Sequence, residues 1–181
     1  MNVGIYTDYF RQLAVNHPLI GHVQAAESPN YPETGKRRFT TFNMQQVASG
    51  LRSAIADSPF LHLHIYDVRP KDNGNAITGQ YTGGFLVTQK ADNDSVIGIA
   101  NAYTITEDIV VDIIGQMRLD FTNDPQKNTF PFGEIYWSQA TINAAGPLWN
   151  DRYGWWVEFP FDARLTNRMS KATLDENFNR N

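Results

Sequence analysis

The feature that most constrains the fold is a strict alternation of side-chain character from Trp155 to Leu165. Successive side chains of a β-strand point to opposite faces, so this alternation predicts a strand with one buried face. Pro160 has no N–H to donate to a ladder, and we therefore expect a sheet edge or a bulge at that position. The predicted core side carries Trp155, Val157, Phe159, Phe161, Ala163 and Leu165, and the opposite side carries Trp156, Glu158, Asp162 and Arg164.

Three segments have apolar residues at the spacing of a helix. The first is Tyr6–Asn16, which His17-Pro18 should end because the residue before a proline is pushed out of the helical region. The second is Asn43–Asp57. The third and longest is Val96–Phe121, preceded by several candidate capping residues at Asp92–Ser95.

Two further segments predict a β-hairpin. In Phe60–Val68, the apolar residues Leu61, Leu63 and Ile65 alternate with polar or aromatic ones, which is typical of a strand with one buried face. A second strand is expected at Gln80–Lys90. The Asp-, Asn- and Gly-rich segment Lys71–Gly79 between them predicts a turn.

A second hairpin is expected from Ile135–Ala145 and Trp155–Leu165, joined around Pro147. Hairpins separated by helices are typical of an antiparallel sheet with helices packed on one face. We therefore predict an α+β fold. Its antiparallel or mixed sheet would consist of two β-hairpins packed against helices, with a long central helix.

The 181 residues fit one domain. We expect residues 1–165 to form a single α+β domain with a long loop insertion at 21–42, and residues 166–181 to form a C-terminal arm or tail. The absence of cysteine excludes disulfides, thiolate metal sites and cysteine nucleophiles. The N-terminal residues do not resemble a signal peptide, and the apolar stretches are too short to span a bilayer, so we expect a soluble compartment.

His62 and His64 are the candidates for a metal site, because residues two apart on a strand project to the same side. Zinc at a catalytic site needs at least three protein ligands, and the other histidines, His17 and His22, lie in predicted loops. The alternative is a polar strand face in solvent or at an interface. We predict no bound metal or other cofactor.

Other catalytic patterns are weak or missing in the sequence. Glu158 and Asp162 could form a carboxylate pair, but they share their strand face with Arg164, and a surface charge pair explains them better. The segment Gly79–Gly84 enters a strand instead of a helix and therefore does not predict a phosphate cradle. No Gly-x-Ser-x-Gly motif is present. We predict that the protein is not an enzyme.

Several residues are candidates for a protein interface. Trp156 lies among charged neighbours, which is typical of an interface anchor, although partial burial under the C-terminal tail is an equal alternative. The basic trio Lys36-Arg37-Arg38 could contact solvent, an acidic neighbouring subunit or nucleic acid. A chain with a net charge of −4 is not a general nucleic-acid binder. The candidate interface residues are Trp156, Pro160, Arg164, Lys36, Arg37, Arg38 and Phe178.

The order of elements also resembles a known family. A helix at Ile105–Met117 between the strands Leu61–Asp67 and Trp155–Leu165 is similar to the arrangement in tail-terminator and neck (head–tail completion) proteins. These proteins belong to tailed bacteriophages and related contractile injection systems. The resemblance covers Tyr6–Leu165, while the extra segment Gly21–Asp57 departs from the simplest family pattern and leaves the exact assignment open.

The resemblance implies a structural virion protein without catalytic residues. Its relatives form rings, commonly hexamers, that cap the tail tube and join it to the neck. Partners would then be further copies, tail tube proteins and neck or connector proteins, with DNA only as passing cargo and no membrane. The location would be the virion, assembled in the host cytoplasm. The alternatives are a ligand-binding module with an aromatic-lined sheet and a histidine-dependent metal enzyme.

Overall fold

The computed structural model describes residues 3–27, 36–42, 59–72, 77–123, 132–148 and 151–164. The predicted helix Asn43–Asp57, the residues from Leu165 onward and Phe178 lie outside these ranges. The helices are α1, Val3–Asn16, and α2, Val96–Asn123. The strands are β1, Phe39–Phe42; β2, Phe60–Asp72; β3, Ile77–Lys90; β4, Thr141–Leu148; and β5, Arg152–Arg164. Short 3-10 turns span Gln24–Glu27 and Trp137–Gln139.

The five strands form one mixed sheet in the order β1-β2-β3-β5-β4. All neighbouring pairs are antiparallel except β1 and β2, which are parallel. Helix α1 packs on β1 and β2, and helix α2 packs on β3 and β5. The predicted α+β class, with hairpins against helices and a long central helix, is confirmed.

Helix α1 ends at Asn16 as predicted but begins at Val3, three residues before the predicted start at Tyr6. Tyr6, Phe10 and Ala14 are spaced four apart and are all fully buried, so they form one stripe on the helix. The N–H of His17 still donates to the carbonyl of Leu13 over 3.0 Å. Pro18 follows and cannot continue this pattern, so the helix ends there.

Helix α2 confirms one of the predicted caps. The hydroxyl of Ser95 accepts a hydrogen bond of 3.0 Å from the N–H of Gly98, which satisfies one free donor of the first turn. Along the helix, every third or fourth residue is buried. These buried residues are Ala102, Thr106, Ile109, Val110, Ile113 and Met117.

Aromatic rings fill the space between the helices and one face of the sheet, which we call the core face. Phe132 lies edge-on to Phe161, with ring centroids 4.9 Å apart, and Tyr6 packs against Phe10 at 5.2 Å. Strand β3 makes room with Gly83, where an added Cβ would lie 2.8 Å from the Tyr6 hydroxyl. Val157, Phe159 and Phe161 are fully buried on this face, as the alternation in β5 predicted.

Three predicted boundaries were wrong. Phe39–Phe42 is a strand, although it fell within the predicted loop insertion 21–42; its partner β2 supplies the stabilising ladder and is distant in sequence. The first hairpin runs on to the Asp72–Ile77 pair, because the backbone ladder continues into residues whose composition predicted a turn. A register shift between His64 and Asp67 also places Ile65, predicted as buried, in an exposed position.

Pro160 explains the third error, a predicted strand over Ile135–Ala145. Only Ile135 forms a bridge to β5, and the chain then turns away at Trp137–Gln139 before β4 begins at Thr141. The N–H of Tyr136 donates to the carbonyl of Pro160 over 2.9 Å, but Pro160 has no N–H to return the bond. The ladder therefore stops. Of the two alternatives predicted at Pro160, the edge position was wrong, because β5 is an interior strand; the irregularity lies in the neighbouring segment Trp137–Gln139.

Candidate interaction surfaces

The face of the sheet opposite the helices, which we call the polar face, contains a buried hydrogen-bonded cluster. The hydroxyl of Thr88 lies 3.1 Å from Nε2 of His62 and accepts a 3.1 Å hydrogen bond from Nε of Arg152. The imidazole of His62 stacks on Phe60 with centroids 4.5 Å apart. All four side chains are almost completely buried, although sequence alternation placed His62 on a face in solvent or at an interface.

Burial determines the charge state of His62. Loss of solvation, followed by repulsion from the Arg152 cation, lowers the pKa of His62 to about 3. The imidazole is therefore neutral at physiological pH. Within the described ranges, no three His, Asp or Glu side chains come together as a metal-ligand group. His17 and His22 are separately engaged, with Nε2 of His17 lying 3.4 Å from Asp112 and Nδ1 of His22 accepting from the N–H of Arg38.

Trp156 lies on the polar face, between Leu86 of β3 and Asn143 of β4, and is half-buried. Its ring contacts His64 edge-on, with centroids 5.6 Å apart. It also lies over Gly84 in β3, where an added Cβ would be 3.1 Å from Cζ2 of the indole. The described sheet therefore accounts for part of the burial of Trp156 and leaves part of the ring accessible.

The two candidate carboxylates on β5, Glu158 and Asp162, lie in different environments. Glu158 is exposed, whereas Asp162 accepts a hydrogen bond of 2.7 Å from the hydroxyl of Tyr136. That hydrogen bond, more than burial, raises the pKa of Tyr136 to about 12. Arg164 pairs with Thr78 at the end of the ladder between β3 and β5.

Two hydrogen bonds to backbone carbonyls hold the basic trio Lys36-Arg37-Arg38 in place. Nη1 of Arg38 donates to the carbonyl of Ile20 over 2.7 Å, and the N–H of Val23 donates to the carbonyl of Lys36 over 3.1 Å. Lys36 and Arg37 are exposed, whereas Arg38 is half-buried. The trio therefore presents two cations to solvent and uses the third to fix the segment.

A half-open groove of about 750 Å³ lies between the C-terminal half of α1 and the C-terminal part of α2. Its apolar surface includes Leu13, Val111 and Leu119, of which Val111 is 60% and Leu119 is 56% exposed. Sequence reasoning missed this groove because the two helices are distant along the chain. The available signal was that Val111 and Leu119 lie outside the buried stripe of α2.

Carboxylates lie along the α2 side of this groove. Asp120 accepts hydrogen bonds of 2.7 Å from both the hydroxyl of Tyr9 and the amide of Gln116. Burial, and then the bond to Asp120, raises the pKa of Tyr9 above its usual range. Asp112 lies two turns earlier, and its side chain is 68% exposed. The groove thus combines an apolar floor with negative charge.

Comparisons with protein-family models, curated proteins and solved structures found no match. The described part of the chain contains no helix long and apolar enough to cross a membrane.

Proposed function

We propose that this protein is a structural component of a tailed-phage or phage-like particle that assembles with copies of itself into a ring at the head–tail junction. In this role it acts as a tail terminator or a neck component and has no catalytic chemistry. The observation that carries the proposal is the order of elements. Helix α1, the β2–β3 hairpin, the long helix α2 and the β4–β5 hairpin come in the order expected from the resemblance, with β1 as an additional strand between α1 and β2.

Exposed apolar surface supports self-assembly. Helix α2 buries one stripe on the sheet, yet on its outer side Ile97 is 76% exposed, in addition to Val111 and Leu119 in the groove. Val111 and Leu119 lie together in the groove, and neighbouring exposed apolar side chains are typical of protein–protein contacts. The same surface would be covered when copies meet.

The edge strand β4 gives independent support. It pairs only with β5 among the described strands, and its side chains from Thr141 to Ala144 are exposed and uncharged. Monomeric proteins usually protect such an edge with charged residues, proline or a bulge, because an open ladder can pair with another chain. In β4 the proline and the register shift come only after Ala145. An edge without charges is compatible with coverage by a neighbouring subunit.

The test is the mass of the purified protein in solution over a wide concentration range, followed by negative-stain imaging. We expect a closed oligomer, visible as a ring of identical subunits. Trp156→Ala should weaken the oligomer if the accessible part of the indole lies in the contact, and Glu158→Ala provides an exposed control on the same strand. A strict monomer at the highest concentration would contradict the proposal.

A further inference from the structure

We propose that the groove between α1 and α2 of one copy binds the basic segment around Lys36 and Arg37 of a second copy. The inference rests on the proposed self-assembly and names the two surfaces that meet. The groove is apolar and acidic, and the segment carries the exposed cations Lys36 and Arg37. This complementarity within a single sequence favours another copy of the chain as the occupant.

The groove has room for a side chain or a backbone segment of a second molecule. Val111 and Leu119 form an exposed apolar surface, and Gly115 lies between them on the same side of α2. A glycine inside a helix costs about 1 kcal/mol relative to alanine. Nothing lies within 4 Å of the position where a Cβ of Gly115 would be, so no internal packing requires the glycine. The open space would let a second molecule approach the helix closely.

Negative charge at the groove is available to a partner. Asp112 is largely exposed, and its contact with Nε2 of His17 spans 3.4 Å. Asp120 also lines the groove. These carboxylates disfavour a polyanion such as DNA in the groove and favour a cationic partner.

The basic segment has the complementary chemistry. Lys36 and Arg37 are both exposed, so the segment presents two cationic side chains. The hydrogen bonds between Val23 and Lys36 and between Arg38 and Ile20 hold the segment in place before any partner arrives. Because the segment is already ordered, binding would lose less conformational entropy.

Each chain carries one groove and one basic segment, and the two are different surfaces. A contact between unlike surfaces can repeat until the assembly closes. Either a ring or a pair with two reciprocal contacts would fill every groove. Open chains would leave one groove empty at an end, so the contact favours closed assemblies.

Charge reversal tests the pairing directly. Arg37→Glu and Asp112→Lys should each weaken self-association about tenfold, because each places like charges opposite one another. The double variant should recover association to within about threefold of the original, since the charges are again opposite. Arg69→Glu with Asp94→Lys is the matched control, which makes the same charge changes at exposed positions outside both surfaces.

A bulky side chain placed in the groove tests the contact without changing any charge. Gly115→Trp should abolish the contact by occupying the groove, whereas Gly115→Ala, which leaves the groove open, should assemble normally. Analytical ultracentrifugation measures association, and circular dichroism confirms that each variant is folded. If the unmodified protein does not self-associate, the proposed function fails. If it assembles and neither the charge reversals nor Gly115→Trp changes its association constant, the groove contact is wrong while the assembly stands.

Discussion

Both faces of the sheet contain fully buried side chains, but these are stabilised in different ways. The core face consists of aromatic and aliphatic side chains packed under two helices, with Phe85, Phe159 and Phe161 fully buried. The polar face buries His62, Thr88 and Arg152 as completely, and hydrogen bonds join these three side chains. Apolar packing depends on volume and shape, whereas a buried polar cluster depends on the position of each donor and acceptor.

This difference explains why the alternation in the sequence correctly predicted burial for one face of the sheet only. Alternation correctly assigned Leu61 and Leu63 to one side of β2 and His62 to the other. It does not indicate whether the second side is exposed. Burying a polar residue costs less when it makes a hydrogen bond, as Nε2 of His62 does with the hydroxyl of Thr88.

The largest expected effect is on the core face. Phe159→Ala should lower the free energy of unfolding by about 3 to 5 kcal/mol, because it leaves a cavity among packed rings. Ile142→Ala is the control on the neighbouring edge strand, where the side chain is half exposed, and it should cost less than about 1 kcal/mol. Urea denaturation measures both values. A similar loss in the two variants would contradict the assignment of the core face.

On the polar face, Arg152→Met should cost about 2 to 3 kcal/mol, since it removes a charged donor to Thr88 while keeping most of the volume. The same change should raise the pKa of His62, because the cation beside it is lost. Nuclear magnetic resonance titration of the imidazole and urea denaturation check the two effects. Unchanged stability would show that the hydrogen bond to Thr88 contributes nothing.

The polar face should also make stability depend on pH. The pKa of His62 is about 3 in the folded protein and about 6.5 in an unfolded chain. Between these values only the unfolded state binds the proton, so the free energy of unfolding falls as the pH falls. His62 should account for a loss on the order of 2 kcal/mol between pH 7 and pH 5. His62→Gln removes the titrating group and should show a correspondingly smaller loss; equal losses would contradict this role.

The smallest effect is expected at Trp156, which lies on the polar face and is half-buried. Trp156→Phe should cost about 1 kcal/mol, because the ring is half-buried and packs on Gly84 and His64. Thermal unfolding of the monomeric protein at low concentration isolates this internal contribution from any effect on assembly. A loss as large as that of Phe159→Ala would place Trp156 in the core.

Local patterns predicted the helices and the main strand. The spacing of Tyr6, Phe10 and Ala14, the cap at Ser95 and the alternation in β5 depend on neighbours in sequence, and the structure confirms all three. The strand Phe39–Phe42 was not predicted, because its stability comes from a ladder with a distant segment.

The candidate surfaces were only partly accessible to sequence reasoning. Exposure of Lys36 and Arg37 followed from their charge, but the groove requires α1 and α2 to meet, as they do where Tyr9 donates to Asp120. The burial of His62 beside Arg152 depends equally on residues far apart along the chain. Long-range contacts of this kind leave no periodic pattern in the sequence.

The central pair of strands has a consequence for biosynthesis. Strands β3 and β5 lie side by side, yet they comprise residues 77–90 and 152–164. A ribosome must therefore release β5 before the middle of the sheet can close, whereas α2 can form as soon as its own residues emerge. Until then, the edge of β3 that will pair with β5 has no strand partner. Completion of this sheet is a late step, and nascent chains halted before β5 should be prone to aggregation.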